Sequence, residues 1–275
     1  MSVDYTNMGQ NANVKVRKFT QGQFSLLTKS MIAAGIGFIL IGLIGFAIAY
    51  PVIQTAHNKP NAFINWINGL WAFSVIFILV AMVMSMFMQN KLFTGKHGMI
   101  IATWIIYILA EAAGFGILIP CFYIQFANQS SGLTGIAYLL LIFAAGGICF
   151  VISSLIGRKM SLKATESLGK FIGVMSIGFM FVFFIGMIAT LIIGLTSTGG
   201  FMGDGLYIFL ISLSTILFLA YMAFDMSLIS KTSQFSQIDD NKVMFNFVLI
   251  FGFRLLVDLV GLVWNIAILV LRFSR

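Results

Sequence analysis

The chain has 275 residues, of which 60% are hydrophobic and only 9% are charged, with a mean hydropathy of +1.04. One soluble core cannot bury that much apolar surface, so the composition excludes an ordinary soluble domain and indicates a polytopic integral membrane protein. The net charge of +8 does not point to nucleic acid, because the basic residues are scattered through short loops between apolar runs, the pattern of positive-inside topology.

Residues 1–30 are polar and basic and read as a cytoplasmic N-terminal tail. The first apolar run begins near Met31, too late and too long for a cleaved signal peptide, so residues 31–275 read as a single membrane domain. About 20 apolar residues cross ~30 Å of hydrocarbon. Seven runs of that length follow: about Met31–Val52, Ile67–Met88, Met99–Tyr123, Gly135–Leu155, Phe171–Leu195, Leu206–Ile229 and one within Val243–Leu271. Lipid offers the backbone no hydrogen-bond partner, and the runs are too long for barrel strands. The expected fold is therefore an all-α, seven-transmembrane-helix bundle. With the N-terminus cytoplasmic, the inner side carries twelve Lys and Arg, tail included, while the outer side carries Lys59, Arg272 and Arg275. That asymmetry predicts a cytoplasmic N-terminus. The two basic residues at the outer C-terminus leave an alternative of six spans plus a re-entrant last segment.

The 27 glycines read as sites of close helix packing. Tyr50, Trp66, Trp71, Trp104 and Tyr107 lie toward span ends, where interfacial anchors belong. Cys121 and Cys149 sit in apolar runs without Cys-x-x-Cys spacing and read as inert buried thiols. Neither His57 nor His97 lies in a span; both read as loop residues.

Four ionisable residues interrupt the apolar runs: Glu111, Asp225, Arg254 and Asp258. A charge in hydrocarbon costs ~2.5–3.5 kcal/mol on insertion scales, so such residues face a protein interior or wet cavity and mark functional paths. Asp225 lies about six residues, ~9 Å, from the cytoplasmic end of span six. Counting ~20 residues back from Arg272 puts Asp258 at the same depth on the antiparallel span seven. Two facing carboxyls in low dielectric share a proton and titrate as a pair. Ionised, they offer hard oxygen ligands to a cation such as Ca²⁺, weakly, because a full site needs roughly 6–8 oxygens. No resident cofactor is expected. Arg254 and Asp258 stand at i, i+4 and project from one face, where a salt bridge neutralises both. Such a pair is either purely structural or a latch in which Arg254 competes with a cation for the aspartates. Glu111, ~18 Å into span three, stands apart near the midplane and either lines a permeation path or stays protonated between helices.

Ala223-Phe224-Asp225-Met226-Ser227-Leu228-Ile229 and Leu255-Leu256-Val257-Asp258-Leu259-Val260 resemble the two aspartate signatures of the Bax inhibitor-1 family, also called the transmembrane Bax-inhibitor-motif family. Gly157-Arg158-Lys159-Met160-Ser161-Leu162 is similar to the loop between helices four and five in bacterial members. The resemblance covers most of the chain from about Ile67. It implies a seven-helix bundle in the cell membrane and a pH-sensitive Ca²⁺ leak, with the gating pair carried over to Asp225 and Asp258. Members latched by an arginine take it from helix two, yet Ile67–Met88 contains no charge, and Arg254 stands in as the latch candidate. Gly261 and Met226 also replace the usual Asn and Thr, as in a divergent bacterial member.

The leading expectation is thus a cation leak channel whose partners are lipid and calcium ions. The alternative is a membrane interaction protein that modulates a membrane protease or a cell-death or stress partner without transport. A proton-coupled carrier is disfavoured by the lack of internal repeats and broken helices. A retinal pump is disfavoured by the lack of a lysine within a span. No GxSxG or His-Glu-x-x-His pattern occurs, so an enzyme is not expected.

Overall fold

The computed structural model describes residues 21–58, 60–89, 97–127, 132–196, 204–235 and 241–273. All regular structure among them is helical: α1 (Gln21–Asn58), α2 (Pro60–Gln89), α3 (His97–Ala127), α4 (Gly132–Lys159), α5 (Leu162–Thr196), α6 (Asp204–Phe235) and α7 (Asn241–Phe273). Six of them contain stretches long and apolar enough to cross a membrane, and α2 contributes the shorter apolar stretch Asn65–Ala81. The chain is an all-α bundle of multi-pass membrane type.

Two boundaries differ from the hydropathy reading. The helix α1 starts at Gln21, ten residues before the apolar run at Met31. Its first turns bury Leu26 and Leu27 in the core, so the helix continues past the point where lipid contact ends. The expected tail over residues 1–20 lies outside the described residues. At the other end, α7 is one continuous helix of 33 residues, about 50 Å at ~1.5 Å per residue. The re-entrant alternative is therefore not adopted. Its excess length is absorbed by protein contacts, since Asn246, Val248, Ile250 and Phe251 are all buried.

Helices α3 and α7 are the most buried. Against α3 pack α1, α2, α4 and α7, and against α7 pack α1, α3, α4 and α6. Among the described residues, α5 touches only α6, and α2 touches only α1 and α3. The four intramembrane charges lie on α3, α6 and α7, so the interior of the bundle holds them, while α5 turns Val174, Ile177 and Phe181 outward. Glycine permits one close approach beside the site: a Cβ at Gly157 of α4 would stand 2.6 Å from the Ala223 carbonyl oxygen and 2.7 Å from the Met226 Cβ. The α4 backbone is thereby seated against the turn of α6 that carries Asp225.

Tyr50 and Trp66 are exposed, as anchors require, whereas Trp104 and Tyr107 are buried. The Trp104 Nε1 donates to the Leu249 carbonyl at 3.0 Å, tying α3 to α7. The Trp71 side chain lies outside the described residues. Nor are the two histidines loop residues: His57 falls in the last turn of α1, and His97 opens α3, with its Nδ1 2.6 Å from Asn246 Oδ1 of α7.

Candidate functional site

The consecutive helices α6 and α7 bring Asp225 and Arg254 together. The Arg254 guanidinium donates to Asp225 Oδ1 at 2.8 Å, and the Asp225 side chain is only 4% exposed against 36% for Arg254. The i, i+4 salt bridge expected between Arg254 and Asp258 is not formed: the long arginine side chain reaches across to α6 instead of doubling back along its own helix. Asp258 is buried, and its Oδ2 has no hydrogen-bond partner. It lies within the electrostatic reach of both Asp225 and Arg254. The two aspartates thus share one environment, but the counter-ion is bound to one of them.

A buried carboxylate oxygen without a partner forfeits hydration and gains nothing in return, about 1–3 kcal/mol or more for a charged group. Each exception of this kind in a folded protein calls for a physical explanation. Here the oxygen can take a proton or a cation. The described residues contain no group of three or more His, Cys, Asp or Glu able to hold a metal, and two carboxylates fall short of the roughly 6–8 oxygens of a closed Ca²⁺ site.

Glu111 is buried on α3 among Ala110, Ala112, Ala113 and Gly114. Those small neighbours let the Trp264 indole approach, and its Nε1 donates to Glu111 Oε2 at 2.9 Å. The Tyr107 hydroxyl, one turn earlier on α3, also hydrogen-bonds the Glu111 carboxyl and lies within electrostatic reach of Asp258. Glu111 is thus held by Trp264 and Tyr107 and by neither aspartate nor Arg254. Tyr107 and Trp264 are the residues that sequence reasoning missed. The i−4 spacing of Tyr107 from Glu111 was a usable signal, since such residues share a helix face; nothing in the sequence singles out Trp264.

A second polar contact lies farther along the α6/α7 seam, where Asn265 Nδ2 donates to Ser214 Oγ at 2.8 Å. Asn265 is two turns beyond Asp258 on the same face of α7. Between the two polar levels, the Phe218 ring covers Gly261, with its Cε1 2.5 Å from where a Cβ would stand. An aromatic ring thus separates the acidic cluster from the next polar pair. Compared with known protein families, curated proteins and solved structures, the chain matches none.

Proposed function

We propose that this protein is a gated cation leak pathway, a divergent member of the Bax inhibitor-1 family that passes Ca²⁺ across the cell membrane, with its N-terminus cytoplasmic. One observation carries the reading: a buried aspartate pair in which Arg254 holds Asp225 and leaves a carboxylate oxygen of Asp258 without a partner. In the closed state Arg254 occupies the oxygen that a passing cation needs. A cation arriving at Asp258 competes for Asp225, and a released Arg254, already part exposed, moves toward water. Protonation of Asp225 removes the charge that holds the guanidinium, so flux depends on pH. The groups that set this dependence are Asp225, Asp258 and Arg254, with Tyr107 and Glu111 beyond them. Glu111 and Tyr107 serve as the inner wall of the pathway. A latch from α7 also suits the packing, because among the described residues α2 does not touch α6 or α7.

Purified protein in liposomes loaded with a Ca²⁺-sensitive dye tests the reading. Flux is expected from the wild type, with a marked change in Asp225→Asn and Asp258→Asn and a rise in Arg254→Gln. Identical flux in all four proteins sinks the channel. Absence of flux together with a stable partner co-purifying from native membrane favours a non-transporting interaction protein.

A further inference from the structure

The cytoplasm-facing junction of α5 and α6, on the side of α6 away from Arg254, contains a feature that the leak reading does not use. The Lys231 ammonium directs its three protons at uncharged oxygens: the Ser161 carbonyl at 3.1 Å, Ser227 Oγ at 2.8 Å and Thr165 Oγ1. Thr165 and Ser227 are buried and bonded to each other at 2.6 Å. Among the described residues no carboxylate lies within ion-pair distance of Lys231, and the acid nearest in the cleft, Glu166, is paired with Lys170 at 2.8 Å. Among the described residues this cation is held in place by uncharged oxygens alone.

Beside it opens a cleft of about 570 Å³ lined by Leu162, Phe224 and Leu228 together with Thr165, Glu166 and Lys231. Apolar side chains and a fixed cation lining one cleft match the two halves of a lipid. Among the described residues α5 touches only α6, so in a membrane this face is open to lipid. The surrounding segment adds Arg158, Lys159, Lys163 and Lys170 against one acid, and basic pockets between membrane helices select anionic headgroups. We propose that the α5/α6 cleft binds one anionic phospholipid, its phosphate at Lys231 and its acyl chain against Leu162, Phe224 and Leu228. The inference is independent of the leak reading.

Native mass spectrometry of the purified full-length protein in detergent, with phosphatidylglycerol and phosphatidylcholine of identical chains, tests it. The wild type is expected to retain one phosphatidylglycerol about fivefold better, the selectivity of one lysine near the surface. Lys231→Gln, which keeps donors for the hydroxyl network, is expected to erase that preference, and Lys163→Gln to leave it. Equal retention of both lipids by the wild type, or an equal loss in Lys163→Gln, overturns the site. Displacement by inorganic phosphate as effective as displacement by lipid also overturns it, since the ligand would then be a free anion. Should Lys231→Gln fail to fold, a photoactivatable phosphatidylglycerol on the wild type decides: labelling confined to peptides from 162–171 and 224–232 supports the site, and labelling elsewhere refutes it.

Discussion

Arg254→Gln strands the most buried charge of the site. Removing one partner of a buried ion pair costs about 3–5 kcal/mol, because the remaining charge keeps its desolvation penalty. The Arg254 side chain is 36% exposed, so water reaches that side of the pair and lowers the cost to just below that range, about 2–3 kcal/mol. For a chain of this size, about 2–4 °C accompanies each kcal/mol, so the unfolding midpoint in detergent is expected to fall by roughly 5–10 °C. Asp225→Asn leaves the part-exposed arginine unpaired, a smaller loss of about 1 kcal/mol. The double variant leaves neither member of this pair stranded, and Asp258 loses the like charge of Asp225 together with the counter-charge of Arg254. Its stability is expected to exceed the sum of the single effects by about 1.5–3 kcal/mol, the range of a hydrogen bond to a charged group. The assay is a double-mutant cycle on thermal unfolding midpoints in one detergent at one pH. Additivity within about 0.5 kcal/mol would show that the pair is not coupled and would remove the basis for a latch.

Asp258→Leu eliminates the unpartnered carboxylate oxygen, so stability is expected to rise by about 1–3 kcal/mol while liposome flux is lost; a fall in unfolding midpoint would give Asp258 a structural role. Trp264→Phe and Tyr107→Phe each remove one donor to Glu111 and are expected to cost about 1 kcal/mol. Acting on one carboxyl, they are expected to combine non-additively, and strict additivity in chemical unfolding argues against two donors sharing Glu111. Gly261→Ala drives a methyl group into the Phe218 ring, 2.5 Å away, for an expected loss of about 1–3 kcal/mol. Phe218→Leu in the same chain is expected to restore most of it, and no rescue would mean that the clash is relieved elsewhere.

Hydropathy and charge make the helices and the four intramembrane charges legible in the amino-acid sequence, because the bilayer imposes its rules residue by residue. A run of apolar residues must be helical, and an ionisable residue within it must face inward. The depth match of Asp225 and Asp258 is likewise accessible, since rise per residue is constant along a helix. Where helices begin is less so: Leu26 and Leu27 are buried by protein and not by lipid, and hydropathy does not distinguish the two.

Partner choice is a different matter. Arg254 had two aspartates within reach of its long side chain, and spacing along α7 favoured Asp258, yet the ion pair runs to Asp225. Trp264, a side chain 153 positions away from Glu111, became its donor. The chain by itself determined that this is a helical membrane bundle with three buried acids and one base. The tertiary structure alone decided which acid has a counter-ion and which is left open, because that depends on the relative rotation of α3, α6 and α7 about their axes. That rotation is set by packing contacts such as Gly157 of α4 against Ala223 and Met226 of α6, and Phe218 against Gly261, between residues far apart in sequence.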